Sequence, residues 1–122
     1  MDLHSYFNAL IGQDPDRLAE FFDKDAYINW HNTNEHFTVS EFIRANCEYP
    51  GSWDGELERE EYIGDLIIAV AHIFSYDMGV SFHSTSFIKT KNGKIQLIDE
   101  YFGDDGKAPE WRLEMNIGSK IK

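Results

Sequence analysis

VSFHSTSFIKTKNGKIQLIDEYFGDDG, residues 80–106, reads as a β-hairpin. Asn92-Gly93 at its centre is the pair that two-residue hairpin turns favour, because both positions take positive φ. Residues 80–90 and 94–102 flank it as strands, and Asp104-Asp105-Gly106 closes the second. Upstream, Gly64-Asp65 gives the same kind of signal between strands 56–63 and 66–75. A connection over Tyr76–Gly79, turning at Asp77-Met78, joins the hairpins into a four-strand meander.

The first half has helical spacing. Leu3, Tyr6, Phe7, Leu10 and Ile11 make an apolar stripe within residues 2–12. Asp14-Pro15 starts a second helix, with an N-cap and then the residue suited to its first position. Leu18, Ala19, Phe21 and Phe22 supply its apolar side. Asp25–Asn32, with Tyr27, Ile28 and Trp30, reads as a strand. It turns at Thr33-Asn34 and returns briefly over Glu35–Thr38. Ser40 caps a third helix carrying Phe42, Ile43 and Cys47, which Pro50-Gly51 ends. This order predicts an α+β domain with helices on one face of a curved antiparallel sheet.

The chain has 122 residues, one domain's worth, with 15% aromatics and a formal net charge of −11. So acidic a surface disfavours nucleic acid and anionic membranes as partners, since both are held through Lys and Arg. No stretch is long and apolar enough to span a bilayer. The start MDLHSYFNAL lacks the basic segment of a signal peptide. The single Cys47 has no internal disulfide partner and fits a reducing, cytoplasmic setting. What remains is a small, aromatic-rich domain whose chemistry would lie in a pocket.

Strict alternation from the turns sets a register. Thr85 then opposes Glu100, His83 opposes Phe102, and Phe87 opposes Ile98. Across the other turn, Glu61 opposes Ile68, Arg59 opposes Val70, and Leu57 opposes His72. The middle connection sets His72 opposite His83. One face would carry Leu57, Arg59, Glu61, Val70, His72, His83, Thr85, Phe87, Ile98, Glu100 and Phe102. With helices over it, its polar groups would line a cavity or pair with one another. The other face, with Ile67, Ala69, Ile73, Phe82, Ile88 and Tyr101, would be open and suit a homodimer.

Three segments resemble the nuclear-transport-factor-two-like superfamily. Leu18-Ala19-Glu20-Phe21-Phe22 through Asp25-Ala26-Tyr27-Ile28 looks like its second helix and first strand. Asn92-Gly93-Lys94-Ile95 and Asp99-Glu100-Tyr101-Phe102-Gly103-Asp104-Asp105-Gly106 look like its last hairpin. The ending resembles the SnoaL-like branch (polyketide cyclase and ketosteroid isomerase relatives). The resemblance implies a single SnoaL-like domain over 1–122. It implies a cone-shaped αβ barrel, three helices of the N-terminal half on a highly curved, mixed but mostly antiparallel sheet. An open pocket and often a homodimer go with that fold. Members include isomerases, cyclases, dehydratases, epoxide hydrolases and non-catalytic binders, so fold leaves activity open. Compared with ketosteroid isomerases, Tyr6 falls near the tyrosine position, but Trp30 stands for the base and Thr85 for the protonated aspartate. Steroid isomerisation is therefore not expected.

On this reading Glu100, His83 and Tyr6 are the candidate catalytic groups. A carboxyl in an aromatic cavity has its pKa raised towards the range of a general acid or base. Histidine already titrates there. Tyr6 would donate to a developing oxyanion. Trp30, Trp53, Arg59, Glu61, His72, Thr85, Phe87 and Phe102 are the candidate ligand-binding residues, with Trp53 as a lid. A histidine–carboxylate metal site, His72 and His83 with Glu100 or Glu61, is conceivable. No recognised ligand spacing supports it, so neither metal nor cofactor is expected. The bland alternatives are a structural Glu100 paired with Arg59 or a backbone amide, and a solvated strand face for Glu56, Glu58 and Glu60; the alternative function is a non-catalytic ligand-binding or dimerisation module of the same fold.

Overall fold

A computed structural model describes all 122 residues. Four helices, α1 (Leu3–Ile11), α2 (Pro15–Ala19), α3 (Val39–Cys47) and α4 (Glu110–Glu114), accompany six strands. These are β1 (Phe22–Trp30), β2 (Glu35–Thr38), β3 (Trp53–Ile63), β4 (Leu66–Ser75), β5 (Ser81–Lys91) and β6 (Lys94–Asp104). No helix is long and apolar enough to cross a membrane.

Local chemistry explains the helix starts. Asp2 accepts from the His4 and Ser5 amides, and Asp14 from that of Arg17 with Pro15 behind it. The third cap is Thr38 rather than Ser40: Thr38 and Glu41 bond reciprocally to each other's backbone amides as a capping box. The second helix is shorter than its apolar stripe. It ends at Ala19, and Phe22 opens β1, where it is buried in the core.

The strands form one mixed sheet in the order β2-β1-β6-β5-β4-β3. Only β1 and β6 are parallel. The sheet does not close. α1 packs on β3 near one edge and α3 on β1 and β2 at the other, so the sheet curls around the helices. Both expected turns form with positive φ, at Gly64 and at Asn92-Gly93. The core lies between helices and sheet: Leu18, Phe42, Ile28, Ile88, Ile95 and Ile98 are fully buried there.

The register departs from strict alternation at two bulges. Near the last turn Thr90 pairs with Ile95, but Lys89 then pairs with Leu97, so Gln96 is an extra residue in β6. Beyond it every partner moves by one: Glu100 faces Ser86, Phe102 faces Ser84, and Ile98 faces Ile88. In β3, Arg59 pairs with Val70 but Leu57 with Ala71, so Glu58 is extra and Glu56 faces His72. The His72–His83 pairing stands as expected.

These bulges correct the expected faces. Ile67, Ala69, Ala71, Ile88 and Ile98 share the helix-covered side with Glu100 and Phe102. Arg59, Glu61, His72, His83, Thr85 and Phe87 share the opposite side, a physical consequence of the period-two pleat once one residue is inserted.

Candidate functional site

A cavity of about 350 Å³ opens between the helices and one end of the sheet. That is the scale of a small-molecule site. The end of α1 gives Leu10 and Ile11, and α3 gives Phe42, Ala45 and Asn46. Trp30 from β1, Trp53 from β3, Ile73 from β4, Phe82 and Ser84 from β5, and Glu100, Phe102 and Asp104 from β6 complete the walls with Val80. Gln13, Thr33, Glu35 and Tyr49 belong to the same lining.

Glu100 is the buried charged group of this cavity, 8% exposed. Ser86 donates to its Oε2 at 3.0 Å. Desolvation raises the Glu100 pKa, and the Ser86 hydroxyl and Trp30 indole pull it part of the way back. Trp30 lies beside Glu100 on the neighbouring parallel strand. Its indole N–H is buried without a hydrogen-bond partner, yet near enough to favour the Glu100 anion. The indole is boxed edge-on by Phe37, Phe42 and Phe102, at 4.7, 6.2 and 5.5 Å between centroids.

The rim is held by amide side chains. Asn32 donates to the Phe102 carbonyl and accepts from the Phe102 amide, both at 2.7 Å, tying the β1–β2 turn to β6. Gln13 donates to the carbonyls of Asn46 and Tyr49, and Asn46 donates to that of Leu10. Trp53 packs edge-on to Tyr49 and Phe82 and donates to the Pro50 carbonyl, which fixes it at the mouth.

Thus Glu100, Trp30, Trp53 and Phe102 meet in one cavity. Tyr6 is buried between Phe21 and Phe22 and does not line the cavity. Burial, with the Glu100 charge in support, keeps its phenol protonated by raising its pKa well above the ordinary value. His83, His72, Arg59, Glu61, Thr85 and Phe87 lie across the sheet from the cavity, because the bulges reverse their parity against β6. There Arg59 bonds Glu61, at 3.0 Å, rather than Glu100. Sequence alone missed Ser86, Asn32, Gln13 and Asn46. Ile95 and Ile98, both wholly buried, carry the signal: three residues apart, they share a face only if the strand bulges between them.

No family model matches the chain, and no curated protein matches it by sequence. Solved structures do match. An NTF-2 like protein of unknown function from Burkholderia xenovorans LB400 is 25% identical, with a TM-score of 0.79 over 98% of this chain and 92% of its own. A candidate ketosteroid isomerase from Kribbella flavida is 19% identical, TM-score 0.80, over 98% and 86%. The chain has the nuclear-transport-factor-two-like fold. A candidate SnoaL-like polyketide cyclase from Shewanella denitrificans, 12% identical with a TM-score of 0.69 over 82% and 86%, shares the fold.

Proposed function

We propose that this SnoaL-like domain binds a small, largely apolar molecule, flat or cyclic, in the aromatic cavity and performs acid–base chemistry on it with Glu100. The observation that carries this reading is a buried carboxyl in an apolar cavity, held neutral more readily than a solvated one. Protonated, Glu100 can give its proton to a carbonyl, hydroxyl or epoxide oxygen. Ionised, it can take a proton from carbon beside a carbonyl and return it elsewhere. Isomerisation, cyclisation and dehydration all fit that exchange. Ser86 positions one oxygen, and Tyr6 supports the site from behind as a neutral phenol.

Charge narrows the ligand. The charged residues of the lining are Glu35, Glu100 and Asp104, with no Lys, Arg or His among them. A neutral or cationic molecule suits these walls, and an anion does not. Cation–π contact with Trp30 or Trp53 would add to the hold on an amine. The second reading is a binder without turnover, which the same walls support. A homodimer through the uncovered sheet face, in a cytoplasmic setting, completes the proposal.

The experiment is a thermal-shift screen of neutral and cationic small molecules, followed by turnover assays on the hits. Glu100→Gln is expected to keep ligand binding and lose turnover by at least about a hundredfold, the usual scale of general acid–base catalysis. Undiminished turnover in that variant removes Glu100 from the chemistry. Binding without turnover by the unaltered protein selects the second reading.

A further inference from the structure

We propose that Glu58, His72 and His83 form a binding site for a divalent transition-metal ion of the zinc type, on the sheet face opposite the cavity. One ligand atom from each of these side chains lies within 4.8 Å of the others. His72 and His83 stand directly opposite on antiparallel strands, their rings parallel at 11° and 4.8 Å apart. The β3 bulge supplies the third member. Glu58 is the extra residue there, and its Oε1 reaches Nε2 of His83 at 3.0 Å. Re-aiming a side chain in this way is what bulges do beside functional sites.

The surrounding groups orient the His83 imidazole as a metal site requires. Asp105 binds Nδ1 of His83, which leaves Nε2 turned to Glu58. A carboxylate behind a ligating histidine is the usual outer partner of a metal centre. Asp105 also holds Ser81, whose hydroxyl lies 2.9 Å from Nε2 of His72. Glu56 stands 3.9 Å from Nδ1 of the same ring. Two imidazoles and a carboxylate suit zinc, cobalt, nickel or copper rather than the oxygen-seeking calcium or magnesium.

Tetrahedral zinc, with bonds near 2.0–2.1 Å, needs ligand atoms about 3.3 Å apart. The Glu58–His83 pair is already near that spacing, and His72 would complete the set by turning out of its stack with His83, its ligand atom lying within 4.8 Å of theirs. No sequence motif announces the site, because its members come from three strands.

Titration of the chelator-treated full chain with zinc chloride, by calorimetry, tests the site. One ion per chain is expected. His72→Gln and His83→Gln should each weaken binding at least about tenfold, and Asp105→Asn by about tenfold, the effect of losing an outer partner. His36→Gln, on the distant β2, should leave it unchanged. Variants that fail to fold are bypassed by histidine ring resonances of the unaltered protein. Those of His72 and His83 should move on zinc addition, and those of His4, His31 and His36 should not. No binding, binding that survives loss of both His72 and His83, or zinc-insensitive His72 and His83 resonances would each overturn the proposal.

Discussion

Glu100 couples the cavity to pH, because its folded carboxyl stays protonated where the unfolded one has already ionised. The stability present at low pH is therefore lost as pH rises from the ordinary carboxylate range through the raised folded value. Glutamine at this position keeps an acceptor for Ser86 and cannot ionise. The melting temperatures of the native chain and Glu100→Gln should coincide near pH 4, and the variant should pull ahead towards neutrality. A gap independent of pH would contradict burial as the cause of the shift. Glu100 also shows what was legible at this scale. Strict alternation from Asn92-Gly93 pairs it with Thr85 and makes their shared face the covered one. The Gln96 bulge moves Glu100 to the face of Ser86, and the helices cover that face instead. The two departures cancel for Glu100 and Phe102. They do not cancel for His72, His83, Thr85 and Phe87, whose strands carry no such insertion between them.

At the level of elements, the start and turn signals were legible because each is local chemistry. Asp14-Pro15, Gly64-Asp65 and Asn92-Gly93 act where they were expected. The end of α2 and the bulges were not, since tertiary packing decides them. Phe21 and Phe22 fit a helical stripe, yet burial against Tyr6 and Phe42 is available to Phe22 only in β1. Two substitutions test the elements that frame the cavity. Thr38→Ala removes the side-chain half of the capping box and should cost about 1 kcal/mol, read by chemical denaturation. An unchanged midpoint would mean that the cap contributes nothing to α3. Gly55→Ala should cost about 1–3 kcal/mol, the range for overpacking. A Cβ there would sit 2.7 Å from the His72 carbonyl, pushing β3 against β4, and 3.2 Å from the side chains of Phe7 and Ile11 on α1. If that variant is as stable as the native chain, the close approach of these backbones is not what requires glycine.

For the whole molecule, the open question is what covers the outer sheet face. Phe87 packs edge-on to Tyr101 at 6.0 Å, and His31 stacks on Tyr101 at 4.4 Å. Tyr101 is nonetheless 45% exposed and Tyr27 37%. A second copy of this chain suits so aromatic a face, but two bodies of net charge −11 repel each other. Dimerisation should therefore strengthen with salt, since at about 0.1 M the screening length falls to about 10 Å. Sedimentation velocity should show a dimer at 150 mM salt that dissociates on dilution more readily at 10 mM. Phe87→Asp or Tyr101→Asp should give a folded monomer by circular dichroism. A chain monomeric at both salts, or a dimer indifferent to both changes, would assign the face no such role. Because the cavity opens on the opposite side of the sheet, the monomeric variants should retain ligand binding, which separates a pocket formed within one chain from one that the dimer completes.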